Sequence, residues 1–266
     1  MSLRLVNCRI ITMLRIALFL TVAALACHAA PITDDEAIDQ LYKSVIIADY
    51  ETALLQSKNL VNEQRGMIIS KTVDKLLEKD PQEVMYYGYY LFNHDAQDIV
   101  KNYFPLEFRM IFSQLTVKLI NKKYNMELKV GLKTDSDGER TVYGDSGDVG
   151  NRAVWKFMNV DASDKKVYFK IYNPSDNQFL KSGNSADRFD DHPIYSSTNS
   201  DTFRHQWYLE PVVLDNEILF YVINRQYSQP LKLAQSTDSD GDRQAYGHGG
   251  DPSGAPERFG WKIERS

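Results

Sequence analysis

The chain has 266 residues, is 43% apolar and 12% aromatic, and carries a formal net charge of −5. That composition supports packed cores and excludes a disordered or low-complexity protein. The acidic balance argues against a nucleic-acid partner.

The first segment reads as a secretory signal. Arg4, Arg9 and Arg15 precede the apolar run Ile16 to Ala26, and small residues follow, which places a cut after Ala29. Met13 is an alternative start. Eleven apolar residues are too few to span a bilayer, which needs roughly 20. Both cysteines, Cys8 and Cys27, lie in this segment, so the expected mature chain has no disulfide, thiol chemistry or cysteine metal site. Its net charge becomes −8. The expectation is a secreted, extracellular protein with no transmembrane segment.

From Thr33 to about Asn125 the periodicity is helical. Thr33 and Glu36 have capping-box spacing. Ile38, Leu41, Tyr42 and Val45 recur on one face. Further helices are predicted over Asp49 to Leu60, Glu63 to Glu78, from Pro81 through VMYYGYYLF, and over Asp95 to Asn102. A last one is predicted from Pro105 through Lys123, with Phe108, Ile111, Phe112, Leu115, Leu119 and Ile120 inward.

The pattern then changes to short alternating runs separated by turn residues: Tyr168 to Tyr172, Leu219 to Ile223, Leu231 to Ala234. Five columns repeat in register. Leu128, Leu180 and Leu231 are 52 and 51 apart, as are Asp135, Asp187 and Asp238; Arg140, His192 and Arg243; and Tyr143, Tyr195 and Tyr246. Trp155, Trp207 and Trp261 are 52 and 54 apart. Three β units of this length predict closure into a threefold barrel. The expected fold is therefore two-domain α+β: a signal peptide over 1–29, an all-α helical domain over 30–125, then a β-trefoil over 126–266. The three tryptophans are expected at equivalent core positions.

The stretches TDSDGERTVYG and TDSDGDRQAYG suggest calcium loops but fail the spacing. Gly144 and Gly247 stand six residues after Gly138 and Gly241, where an acid is required. They read instead as hairpin turns in which glycine supplies positive φ. The four remaining histidines, His94, His192, His205 and His248, fit no catalytic or metal motif, and His192 beside Pro193 reads as a surface turn. The expectation is a non-enzymatic protein without a cofactor.

Two features suit binding. Tyr86, Tyr87, Tyr89 and Tyr90 cannot all point inward from one helix, so some offer an amphipathic surface for lipid or a partner. Asp135 with Tyr143, and Asp238 with Tyr246, supply the acid and aromatic face that a sugar site needs.

The phrases QLYKSVIIADYETALLQSKNL, DIVKNYFPLEFRMIF, KVYFKIYN, FRHQWYLEP and LFYVINRQYS together resemble the insect haemolymph 30-kilodalton lipoproteins, the silkworm-type low-molecular-mass lipoprotein and microvitellogenin family. The resemblance covers essentially the whole mature chain. It implies a helical domain before a β-trefoil, secretion into haemolymph, and nutrient storage with carriage of lipid or another small hydrophobic ligand. It also brings alternatives: recognition of glucose or glucans in defence, or binding of small peptide cytokines on the helices. It carries over no catalytic residue. Ala153, His205 and Phe259 stand two before each Trp, where ricin-type lectins have glutamine.

Overall fold

Thr33 opens the first helix as its spacing predicts. Its backbone N–H donates to Glu36 Oε2 at 3.0 Å, and the Glu36 N–H donates back to Thr33 Oγ1 at 3.3 Å. The computed structural model describes residues 32–147, 149–163 and 166–266. The signal segment, with Ala29, Cys8 and Cys27, lies outside the described residues.

Helix α1 spans Asp34–Ile46, α2 Tyr50–Asn62, α3 Met67–Lys79, α4 Pro81–Asn93, α5 Gln97–Tyr103 and α6 Leu106–Phe112. Asp49 caps α2 by accepting from Thr52 N at 3.2 Å. Pro81 takes the first position of α4, where no amide partner is lost. The third helix starts later than predicted, because Gln64 turns the chain with φ +60°.

The last helix ends at Phe112 rather than Lys123. Gln114 adopts φ +54°, and the chain leaves as strand β1, Val117–Asn121. There burial alternates with period two, so Leu119 is buried as a strand residue while Leu115 is 44% exposed. Leu115, Leu119 and Ile120 satisfied a helical spacing by coincidence.

The remaining strands are β2 Met126–Thr134, β3 Arg140–Asp145, β4 Lys156–Ser163, β5 Lys166–Asn173, β6 Gln178–Ser182 and β7 Asp191–Ser197. Then come β8 Gln206–Leu214, β9 Glu217–Asn224, β10 Leu231–Leu233, β11 Arg243–His248 and β12 Gly260–Arg265, with a short helix α7, Pro256–Phe259, before the last. Hydrogen bonding runs β11-β3-β2-β1-β12-β9-β8-β5-β6-β7 and returns to β11. Ten strands thus close a ring, with β4 attached to β5 and β10 to β11.

The expected architecture of an all-helical domain followed by a separate β-trefoil domain is corrected by these findings. Ile38–Ser266 cluster as one compact unit that holds helices and strands together. Phe108 of α6 meets Phe220 of β9 at 5.4 Å between ring centroids, and Phe112 meets Phe169 of β5 at 6.4 Å. The α6 face thus completes the core of the sheet instead of closing a helical domain of its own. The sheet itself is one closed ten-strand ring with two appended strands.

Within that ring the repeat has a physical basis. Each unit supplies four strands. Trp155, Trp207 and Trp261 are fully buried, and their Nε1–H groups donate to the carbonyls of Leu128, Leu180 and Leu231 at 2.8, 3.0 and 3.0 Å. A second column, Asn121, Asn173 and Asn224, is also fully buried. Its amides donate to the carbonyls of Arg258, Arg152 and Arg204 at 3.0, 2.9 and 2.9 Å, each in the preceding unit.

Candidate functional site

The acidic turns are built by their first aspartate. Asp135 Oδ1 accepts from Asp137 N and Glu139 N at 2.9 and 2.8 Å, and Asp238 Oδ1 accepts from Asp240 N and Asp242 N at 3.0 Å each. Asp187 does the same with Phe189 N and Asp191 N. Gly138 and Gly241 take the positive φ these turns require, +78° and +86°. The column is therefore an Asx-turn bracket, in which a single carboxylate oxygen takes both turn N–H groups. Among the described residues, no group of three or more His, Cys, Asp or Glu side chains could hold a metal ion.

The tyrosine column sits beside a column of lysines. Tyr143, Tyr195 and Tyr246 lie directly across their hairpins from Lys129, Lys181 and Lys232. These lysines are all but buried, at 5%, 5% and 3% exposure. Each reaches an acid of the preceding unit. Lys129 Nζ meets Asp242 Oδ2 at 2.5 Å, Lys232 Nζ meets Asp191 Oδ2 at 2.5 Å, and Lys181 pairs with Glu139. Lys129 also meets Asp145 of its own unit at 2.5 Å.

Between the first and third units lies a cleft of about 440 Å³, whose lining includes Lys129, Tyr143, Asp145, Arg152, Asp238 and Asp242. Burial pushes Asp145 up, but the Lys129 ammonium and the Gly147 N–H outweigh it and hold the carboxyl below its ordinary value. Burial lifts Asp242 above the ordinary value against the same ammonium. The cleft thus has one aromatic face, several carboxylates and two or more cations, a lining suited to a polar ligand with many hydroxyls.

The structure joins Tyr143 to Asp238, where the sequence paired Tyr143 with Asp135. Asp135 and Tyr246 are not part of this lining. Tyr246 faces Asp187 and Asp191 of the second unit instead, and burial first, then those charges, raise its hydroxyl pKa. The lysine column, its acids Glu139, Asp191 and Asp242, and the asparagine column were missed in the sequence. All three repeat at 52 and 51 residues, and that period is the signal that could have found them. His192, expected on a surface turn, is 7% exposed, stacks on Tyr227 at 4.0 Å and bonds Gln229 Oε1 through Nδ1 at 2.8 Å.

The helical tyrosines divide. Tyr87 is fully buried with its hydroxyl 2.6 Å from Ser57 Oγ. Tyr86, Tyr89 and Tyr90 are half-buried. With Tyr50 and His94 they form a run of ring contacts: Tyr50 to Tyr86 at 4.9 Å, Tyr50 to Tyr90 at 5.6 Å, Tyr86 to Tyr89 at 6.4 Å, Tyr90 to His94 at 3.9 Å. Tyr50 donates to Glu83 Oε2 at 2.6 Å, which anchors the run between α2 and α4. Such a ridge offers apolar ring faces with hydroxyls at their rims. No helix among the described residues is long and apolar enough to cross a membrane.

Fold and site define an α-plus-β protein built on a threefold internal repeat, with a polar cleft between repeats and an aromatic ridge on its helices. Residues 35–265 match the lepidopteran low molecular weight (30 kD) lipoprotein family, and the chain belongs to it. It is 42% identical over 252 residues to microvitellogenin of Manduca sexta, covering 94% of this chain and 99% of that one. It is 41% identical over 256 residues to low molecular mass lipoprotein PBMHP-6 of Bombyx mori, covering 94% and 99%. Low molecular mass lipoprotein 3 of Bombyx mori is 37% identical over 250 residues, covering 94% and 97%.

Proposed function

We propose that this chain is an exported haemolymph storage protein and a carrier of lipid or another small hydrophobic ligand, without catalytic activity. Membership of the lipoprotein family across nearly the whole described chain carries this reading. The ridge of Tyr86, Tyr89 and Tyr90 supports it, since half-buried rings with polar rims suit the boundary between an acyl chain and its headgroup. Tyr87 serves the helical core in this reading. The test is mass spectrometry of protein purified natively from haemolymph. Co-purifying lipid that falls at least several-fold in a Tyr86→Ala, Tyr90→Ala double variant of unchanged circular dichroism supports carriage. Absence of any lipid removes carriage and leaves storage.

The cleft favours a second reading, recognition of glucose units or glucans through Tyr143 and Asp238, with Asp135 and Tyr246 as the counterparts on other turns. The observation behind it is the shared lining of one cleft by the Tyr143 ring and the Asp238 carboxylate. A β-glucan pull-down decides it: Tyr143→Ala should abolish capture while leaving the lipid content unchanged. Equal capture by both proteins would end the reading.

A further inference from the structure

We propose that the aromatic run between α2 and α4 is a one-electron relay, through which its accessible tyrosines pass an oxidation by peroxyl radicals to the shielded hydroxyl of Tyr50. Glu83, Tyr86 and Tyr90 stand at i, i+3 and i+7 on α4 and therefore share one face. Tyr50, the first residue of α2, is wedged against that face, 4.9 Å from Tyr86 and 5.6 Å from Tyr90 between ring centroids. Tyr89 extends the run 6.4 Å beyond Tyr86, and His94 stacks 3.9 Å from Tyr90 at the other end. Five rings thus touch in succession, with a buried middle and accessible ends. Tyr50 is 7% exposed, Tyr86, Tyr89 and Tyr90 are half-buried, and His94 is exposed.

Packing accounts for the ring contacts but not for the partner at the centre of the run. Tyr50 donates its hydroxyl proton to Glu83 Oε2 at 2.6 Å. A phenol that loses an electron becomes a strong acid, so oxidation is easiest where a base already holds the proton. Burial, then the Glu83 carboxylate, raise the hydroxyl pKa of Tyr50, so its proton leaves only together with an electron. The neighbouring phenols are built differently. Tyr87 meets Ser57 Oγ, a hydroxyl rather than a base, and Tyr42 donates to Asp80 at 2.5 Å but has the Lys75 ammonium over its ring.

The chemistry balances as a hydrogen-atom transfer. A peroxyl radical takes a hydrogen atom from Tyr86, Tyr89 or Tyr90, which makes a hydroperoxide and a phenoxyl radical. That radical takes an electron from Tyr50 through the touching rings and a proton from water, which restores the phenol. Tyr50 becomes the phenoxyl, and its proton passes to Glu83 and on to solvent. The net change is one peroxyl radical reduced and one Tyr50 O–H bond broken. A phenoxyl shielded in this way does not meet a second one, so coupling of two chains through a dityrosine bond is suppressed. The relay needs no bound lipid and goes beyond the carrier reading.

The test exposes the full chain to peroxyl radicals from a water-soluble azo initiator. Electron paramagnetic resonance of frozen samples reads the phenoxyl, and dityrosine fluorescence reads coupling. Tyr50→Phe keeps the ring and removes the O–H. It should cut the phenoxyl signal several-fold and raise dityrosine several-fold. Glu83→Gln keeps an acceptor oxygen without the base and should act in the same direction. A Tyr86→Phe, Tyr90→Phe double variant should also lose most of the signal, because the shielded Tyr50 is then cut off from the oxidant. A phenoxyl signal or a dityrosine yield unchanged in Tyr50→Phe overturns the proposal. So does a full signal in the double variant. Circular dichroism checks each fold; should Tyr50→Phe not fold, the Glu83→Gln arm decides, and a signal and dityrosine yield equal to the parent's reject the relay.

Discussion

Lys129 of the first repeat and Asp242 of the third meet at 2.5 Å with side-chain exposures of only 7% and 14%. A bond between residues 113 positions apart in the chain therefore acts as a joint between neighbouring units of the ring. Charges this well shielded are screened little by salt, and the cost of removing one partner is dominated by the charge left behind.

Lys129→Met should destabilise the fold by about 3–5 kcal/mol, because it strands Asp145 and Asp242 together. Adding Asp242→Leu should recover part of that loss, since one orphaned charge is then gone. Urea unfolding of the two single variants and the double variant gives the coupling energy directly. Additive losses would show that the pair is not a joint.

The turn aspartates act through one oxygen. Asp238→Ala removes the acceptor for Asp240 N and Asp242 N and should cost about 0.5–1.5 kcal/mol. Asp238→Asn keeps an acceptor oxygen in the same place and should stay within about 0.5 kcal/mol of the parent. Thermal melts of the two variants separate a bracket from a charge.

The three tryptophans should prove interchangeable in energy. Trp207→Phe leaves the Leu180 carbonyl without its 3.0 Å donor and opens space in the core, at a cost of about 1–3 kcal/mol. Trp155→Phe and Trp261→Phe should fall in the same range, as their indoles make the same bond. A spread of several kcal/mol in chemical unfolding would mean the repeats differ in more than their sequences.

Gly88 lies inside α4, where alanine is normally better by about 1 kcal/mol. Here a Cβ would stand 2.6 Å from the Phe112 ring and 3.1 Å from that of Phe104. Gly88→Ala should therefore be net destabilising by about 1–3 kcal/mol, through overpacking where α4 meets the loop before α6 and α6 itself. A stabilised variant in a thermal melt would show that the rings move aside freely.

Much of this was readable before the fold was known, for reasons specific to each element. Thr33 with Glu36, and Pro81 at the first position of α4, are local signals, and at these two helix starts local signals suffice. The repeat was readable because Trp155, Trp207 and Trp261 are large residues in register. The segment from Leu115 to Ile120 was misread because its apolar residues fit periods of four and of two alike. The alliance of Tyr143 with Asp238 was invisible for a different reason. Sequence groups residues by unit, whereas closure of the ring places each unit's hairpin against its neighbour's turn. Charged residues in the middle of short strands also look solvated on paper, which is why the buried lysine column escaped notice.

Strand β1 pairs with β12 over five positions, from Val117 opposite Arg265 to Asn121 opposite Trp261. The first strand therefore waits for β12 to be synthesised, well over a hundred residues later. During translation, with nearly all of the sheet already made, β1 and β9 each lack the neighbour that β12 provides. Such open edges invite pairing with another nascent chain. Chaperone protection is then needed most until β12 has emerged from the ribosome. A transcript truncated before Gly260 would yield an unclosed ring with two sticky rims, not merely a shorter protein.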